Sequence, residues 1–371
     1  MARPRLTNWC FTPLDFLLIA VPIALAIRYV PGWKNETLLF VIAGVGIIPL
    51  AGWMGRSTEQ LAARSGAGIG GFLNATFGNA AELIIGLVAL NKGLTGVVKA
   101  SITGSIIGNL LLVLGASLLA GGLRHERQTF NQTAARASAT SLGMGGIALL
   151  IPTIFHRSAE MRGGGWTEEA EQRLSFAIVI VLFVTYFFSL IFHLVTHRQL
   201  FSGRPEKREV AEAPWPVWQS ATALAISTAA IAWLSELLVG SIEAARHALG
   251  LTEMFVGVVI VALVGNAAEH STAVLMALKN KMDLSLSIAT GSSLQMALFV
   301  TPVLVFSSYG FGDPMNLEFS LPEIAAIILA IWIVGQISGD GESNWLEGVQ
   351  LLSVYIIIAF LFYFLPPQVA P

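Results

Sequence analysis

The pentapeptide Gly-Asn-Ala-Ala-Glu occurs twice in this chain of 371 residues, at 78–82 and again at 265–269. Each copy ends in a glutamate, Glu82 or Glu269, set near the middle of an apolar stretch. An ionised carboxylate is costly inside hydrocarbon, so a glutamate retained there marks an ion or proton pathway. Asn79 and Asn266 offer amide oxygens beside the carboxylates. Thr103, Ser105, Thr290, Ser292 and Gln295, on the stretch that follows each motif, add hydroxyl and amide oxygens. Gly78 and Gly265 permit close backbone approach or local unwinding, which would release carbonyl oxygens. These ligands are all hard oxygens, with no thiolate and no histidine cluster, which favours calcium or a similar ion over zinc or copper. Taken singly, the Ser, Thr and Gly residues are better read as small-residue helix packing.

Charge arithmetic extends this to a cycle. Two ionised glutamates carry a double negative charge, which one Ca²⁺ or two protons neutralise. Either loaded state can change sides, whereas the empty, doubly charged site should not. Protons and calcium then compete for the same carboxylates, which titrate as a coupled pair. His270 adjoins Glu269 and is the histidine placed in the middle of a stretch, where it could shuttle protons or simply make a structural hydrogen bond.

The elements that must position these groups follow from composition. Hydrophobic residues make up 55% of the chain and charged residues 12%, against about a quarter charged in soluble domains. That excludes soluble enzymes and disordered tails. The net charge of −2 leaves no basic footprint for nucleic acid, and the single Cys10 excludes an intramolecular disulfide or a cysteine cage. A helix needs about 20 apolar residues to cross a bilayer. Such stretches run over 11–30, 36–55, 69–92, 95–120, 132–156, 172–196, 217–239, 253–279, 285–308, 320–338 and 346–365. The first reads as a retained span, since no convincing cleavage site follows it. The expected fold is an all-α polytopic membrane protein with eleven transmembrane helices.

The repeat organises them. Thr103-Gly104-Ser105 recurs as Thr290-Gly291-Ser292 at the same offset of 187 as the glutamates, and Ser57-Thr58-Glu59 weakly resembles Ser241-Ile242-Glu243. Spans two to six and seven to eleven are read as two five-helix copies, with the first span as an N-terminal addition. The corresponding units are 1–35, 36–196, a cytoplasmic connecting loop 197–216, and 217–371. Five is odd, so the copies are inverted, as in many secondary transporters with sites at the repeat interface near the midplane. An N-terminus in the cytoplasm puts a majority of the 21 Lys and Arg residues inside.

At these residues the sequence resembles the calcium/proton exchanger family of the cation/calcium exchanger superfamily. The motif Gly265–His270, the stretches Ser57–Ala62, Gly70–Phe77 and Gly291–Gln295, and the late run Asp340–Gly348 carry the likeness. The resemblance implies that Glu82 and Glu269 are the cation and proton ligands, lined by Asn79, Asn266, Ser105, Ser292 and Gln295. It implies that Glu59, Glu236 and Glu243 lie along access routes or at gates. It also implies no catalytic residue and no resident cofactor, only transported Ca²⁺ and H⁺. The short N-terminus and the mixed-charge joint at Arg204–Glu209 look more like a prokaryotic member, in the plasma membrane, and a homo-oligomer is compatible with this reading. A sodium/calcium exchanger is the nearest competing reading. Typical members of that branch carry a Pro-Glu pair and an acidic residue in the neighbouring helix, whereas 95–120 and 284–308 hold no Asp or Glu. A cation channel with a glutamate ring is a further alternative. Gly310-Phe311-Gly312-Asp313 matches an intramembrane aspartyl protease pattern, but no second aspartate lies at depth to act with Asp313.

Overall fold

The computed structural model describes residues 12–161, 167–197 and 215–366; Cys10, the basic N-terminus and residues 198–214 of the central joint lie outside them. A 3₁₀ turn, Pro13–Ile19, leads into α1 (Ala20–Tyr29), followed by α2 (Glu36–Ala62), α3 (Gly66–Phe77), α4 (Ala80–Asn91), α5 (Thr95–Ile107) and α6 (Leu114–Arg124). Next come α7 (Gln132–Met161), α8 (Glu168–Ile191), α9 (Val217–Gly240) and the short α10 (Ile242–Leu249). The second half continues as α11 (Ala262–Leu278), α12 (Met282–Gln295), α13 (Thr301–Phe311), α14 (Leu321–Ile337) and α15 (Trp345–Phe364). Wider π-type turns join α5 to α6 (Gly108–Val113), lead into α11 (Val256–Val261) and join α12 to α13 (Met296–Val300). Among the described residues, eight helical segments are long and apolar enough to cross a membrane, and α4 and α14 are shorter apolar helices.

The surface has the character expected of a chain dissolved in lipid. Ile147, Val181, Phe188, Trp332, Ile357 and Phe364 are all more than half exposed. In water such an apolar surface would be an aggregation liability. The interior is assembled through small residues, because helices in lipid gain most from close approach. A Cβ on Gly104 would lie 2.0 Å from the Val258 carbonyl oxygen, and one on Gly257 would lie 2.4 Å from the Ala100 Cβ. The α5 backbone therefore rests directly on the wide turn that leads into α11. A Cβ on Gly348 would meet the Leu119 nitrogen at 2.3 Å, so α15 and α6 touch in the same manner.

Helix ends are set by local chemistry. Asn35 caps α2, Thr167 caps α8, and Ser320 with Glu323 and Asn344 with Glu347 form reciprocal caps at α14 and α15. A two-residue antiparallel ribbon pairs β1 (Gln128–Thr129) with β2 (Glu342–Ser343), Gln128 opposite Ser343. Buried Gln128 also donates to the Ala277 carbonyl at 2.8 Å, so the α6–α7, α11–α12 and α14–α15 connections meet at one end. The short α10 is an element that hydropathy does not predict. It is amphipathic, burying Ile242 and Ala245, and ends at Gly250 in the left-handed conformation.

Candidate cation site

The first motif is built on a broken helix. Gly78 donates to the Asn74 carbonyl at 2.9 Å and ends α3; Leu83 donates to the Asn79 carbonyl at 3.0 Å and begins the α4 ladder. Between them the chain turns at Gly78 and Asn79, and Glu82 falls in the first turn of α4. That is where backbone N–H groups and the helix dipole favour a carboxylate. Asn79 sits at the cap position but does not cap; its side chain is committed elsewhere. The second motif lies inside α11, which runs unbroken through Gly265. The unwinding expected at both glycines is thus present at Gly78 and absent at Gly265. The physical difference is in the flanks: glycine-rich α3 precedes the first motif, whereas Val and Ile residues fill the turn before the second.

The two motifs face each other. A Cβ on Gly265 would lie 2.9 Å from Glu82 Cγ and 3.4 Å from its Oε1. A Cβ on Gly78 would lie 3.5 Å from Glu269 Oε1 and 3.7 Å from Gln295 Oε1. Each glutamate therefore rests on the glycine of the opposite motif; a side chain at Gly265 would displace Glu82, whereas one at Gly78 would first meet the Asn74 carbonyl oxygen, at 2.9 Å. Glu82 is 4% exposed. Both of its carboxylate oxygens, and Oε2 of Glu269, are buried without a hydrogen-bond donor from the protein. A carboxylate is acceptor-only when ionised, so these oxygens call for a proton or a cation.

Amides and hydroxyls close the site around them. Ser292 donates to Asn79 Oδ1 at 3.0 Å, and Asn266 Nδ2 donates to Ser105 Oγ at 3.0 Å. These are the same pairing seen from the two halves: each motif's Asn bonds the other half's Ser. Asn79 Nδ2 donates to Gln295 Oε1. Asn109 Nδ2 donates to Ser292 Oγ at 2.9 Å and to Asn266 Oδ1 at 3.4 Å. Asn109 is a site residue that the sequence reading missed. Residue 296, its counterpart at the repeat offset, is a methionine, so a search for identities passes over it. Asn109 lies at the start of the wide turn between α5 and α6, and Gln295 just before the equivalent wide turn between α12 and α13. Such π-type turns are frequent at functional sites.

Comparison with known proteins gives the family. The family described as sodium/calcium exchanger protein matches in two segments, residues 35–195 and 219–364. A Ca²⁺/H⁺ antiporter of Synechocystis sp. is 45% identical over 368 residues, covering 95% of this chain and 97% of that protein. The Ca²⁺/H⁺ antiporter ChaA of Bacillus subtilis is 44% identical, covering 94% and 99%. This chain belongs to the calcium/proton exchanger family. The structure of native YfkE matches with a TM-score of 0.81 at 41% identity, over 95% of this chain and all of that one. Solved structures of the H⁺/Ca²⁺ exchanger CAX (TM-score 0.66, 15% identical) and the sodium–calcium exchanger NCX_Mj (TM-score 0.55, 18% identical) share the fold. The exchanger is accordingly a multi-pass integral membrane protein of a transporter family.

The remaining predicted residues divide. His270 in the exchanger stands beside the cluster, with Nε2 buried and unpartnered in a crevice lined by Gly104, Gly108, Leu112, Asn266 and Tyr355. Thr103 and Thr290 are drawn away: Thr103 donates to Glu323 at 3.2 Å and Thr290 to the Leu286 carbonyl at 2.8 Å. Glu59, Glu236 and Glu243 are exposed and lie outside the hydrogen-bonded cluster. Glu59 lies on the last turns of α2, and Lys92 Nζ donates to the Glu236 carbonyl at 2.9 Å. Glu243 pairs with Arg246 and with His247 (3.0 Å) on α10, and the Arg246 guanidinium holds its carboxyl below the usual carboxylate range.

Proposed function

We propose that the chain is an antiporter exchanging Ca²⁺ for H⁺ across the membrane by alternating access. In this reading Glu82 and Glu269 sit near the bilayer midplane and bind either one Ca²⁺ or two protons. The observation that carries it is the reciprocal pair of buried carboxylates, each laid on the other motif's glycine and short of donors. Asn79, Asn266, Ser105, Ser292 and Gln295 supply neutral oxygens and hold the two motifs in register. With the carbonyls near the Gly78 break, they approach the six to eight oxygens that Ca²⁺ takes. The names of the Synechocystis and Bacillus relatives support calcium and protons as the exchanged ions. The two-segment family match supports two copies of a five-helix unit, residues 36–196 and 217–371, with an N-terminal helix added and eleven spans in all. Five spans per copy make the copies inverted, with the N-terminus cytoplasmic by the lysine and arginine bias.

Neutralisation gives the cycle its direction. A site loaded with Ca²⁺ or with two protons carries no net charge across the low-dielectric interior; an empty site carries two negative charges and stays put. Glu59, Glu236 and Glu243, exposed beyond the cluster, are assigned to the access routes. The test is calcium uptake into sodium-free vesicles driven by a pH gradient. Uptake that is absent without sodium and restored by a sodium gradient would replace this reading with sodium/calcium exchange. Currents far above transporter turnover would replace it with a channel.

A further inference from the structure

A second cluster of charged side chains lies away from the repeated motifs, near the C-terminal end of α7 and the start of α8. His156 Nδ1 is 2.7 Å from Glu171 Oε1, and its Nε2 is 3.2 Å from Glu318 Oε1. The Glu171 side chain is 3% exposed; those of His156 and Glu318 are 15% and 28% exposed. The three residues come from α7, α8 and the connection between α13 and α14, and their ligand atoms all lie within 4.8 Å of one another. We propose that His156 and Glu318 form a second divalent-cation site, with buried Glu171 orienting the imidazole.

The geometry follows the carboxylate–histidine–metal pattern, in which one ring nitrogen donates to a carboxylate and the other is presented to the metal. With the N–H on Nδ1 given to Glu171, Nε2 turns a lone pair towards the Glu318 carboxylate. Acceptor facing acceptor is unfavourable unless a positive charge joins them. Two ligands each about 2.1 Å from one metal stand about 3.0 to 3.4 Å apart for bond angles between 90° and tetrahedral, which brackets the observed separation. Glu318 is held ready by its neighbours. Leu317 N donates to Ser175 Oγ at 2.9 Å and Phe319 N to Thr153 Oγ1 at 3.0 Å, so the backbone on both sides of it is pinned.

Charge favours a dication. The Lys99 ammonium donates to Asn316 and lies within electrostatic reach of Glu171, Glu318 and Glu323 without pairing directly with them. Glu323 accepts from Ser320 N and Oγ at 2.8 Å and from Thr103 at 3.2 Å. With all three carboxylates ionised and Lys99 charged, two negative charges would surround a neutral His156. One dication cancels them, whereas one proton on His156 cancels half. The donor set of one imidazole nitrogen and one carboxylate oxygen, completed by water on the exposed side, suits Mn²⁺ or Zn²⁺ better than Ca²⁺.

The probe is Mn²⁺, followed by electron paramagnetic resonance on the purified protein carrying both Glu82→Gln and Glu269→Gln. One bound Mn²⁺ per chain is expected, with ¹⁴N coupling from an imidazole, displaced by Zn²⁺. His156→Gln should remove that nitrogen coupling, and Glu171→Gln should weaken binding about 10- to 100-fold. No bound Mn²⁺ in the double variant, or nitrogen coupling that survives His156→Gln, would overturn the site. The otherwise native protein gives an independent reading should the double variant fail to insert. There Glu318→Gln, at a partly exposed position, should lower the Mn²⁺ stoichiometry by one and leave the initial rate of calcium uptake unchanged. Unaltered stoichiometry would overturn the proposal equally.

Discussion

Replacing Gly265 with alanine separates the packing of the helix from the placement of the carboxylate. The residue lies inside α11 with ordinary helical backbone, so Ala there gains up to about 1 kcal/mol of helix propensity. Its new Cβ would stand 2.9 Å from Glu82 Cγ, against an ordinary carbon–carbon contact of about 3.5–4.0 Å. The Glu82 side chain must therefore withdraw by about 0.6 Å or more. Moving one carboxylate charge from about 2.4 to about 3.0 Å from Ca²⁺ costs roughly 2.8 kcal/mol at an effective dielectric constant near 20. Rotamer adjustment recovers part of that, so Ca²⁺ affinity should fall about 10- to 100-fold. The assay is the initial rate of pH-driven calcium uptake against calcium concentration, with the thermal midpoint measured in parallel. The midpoint should stay close to that of the native protein. Gly104→Ala is the contrast, because its Cβ would meet the Val258 backbone oxygen at 2.0 Å, where no side chain can yield; it should lose stability first. An unchanged calcium dependence for Gly265→Ala would refute the placement of Glu82 as a ligand packed on this glycine.

Glu82→Gln or Glu269→Gln should each abolish exchange while the protein remains inserted and folded, as uptake and gel filtration together would show; near-native exchange by either rules out the two-carboxylate mechanism. Asn109→Leu removes the donor to Ser292 and Asn266 and leaves buried acceptors unmet, a loss of about 1–3 kcal/mol that should appear as a lower thermal midpoint together with slower uptake. Glu59→Gln, exposed at the end of α2, should slow uptake only modestly. Glu243→Gln should lose the surface pair with Arg246 and His247. Because Arg246 holds the Glu243 carboxyl below the usual carboxylate range, any stabilisation from the pair persists above that range and fades only as pH falls through the lowered value. The pair is exposed and contributes little even where it is fully formed, so at neutral pH the variant should transport nearly as the native protein does, measured by the same uptake assay.

The helices were legible because lipid imposes one simple rule, long apolar runs, and the chain follows it. The apolar stretch 95–120 is realised as Thr95–Arg124 and 217–239 as Val217–Gly240. The glutamate motifs were legible because they repeat in sequence. What escaped notice breaks one of those rules. Asn109 has no polar counterpart, since methionine occupies position 296. The α10 helix is too short and too amphipathic to register as a span. Unwinding at Gly265 was expected from a pentapeptide identical to the first, yet conformation is decided by flanking residues, flexible glycines in α3 and stiff branched residues ahead of α11. His156, Glu171 and Glu318 come from three elements with no shared spacing, and only the folded chain brings them together.

The amide and hydroxyl bonds around the glutamates bear on how two halves built from one motif can come to differ. All five of them cross between the halves: Asn79 with Gln295 and Ser292, Asn266 with Ser105, and Asn109 with Ser292 and Asn266. Breaking every one at once would cost on the order of 5 kcal/mol, which would leave an alternative arrangement populated only rarely. Two of the five are equivalent under the repeat. Asn79 accepts from Ser292 while Asn266 donates to Ser105, both at 3.0 Å. An interchange of roles between the halves would preserve those two with donor and acceptor reversed, which an amide and a hydroxyl both allow. The other three depend on Gln295 and Asn109, whose counterparts Gly108 and Met296 cannot replace them. Their loss amounts to about 3 kcal/mol, a size that binding of a cation or of protons can offset. Under the proposed alternating access, the symmetric pairs would keep the site assembled through the exchange of roles, and the asymmetric ones would set which of the two arrangements is preferred.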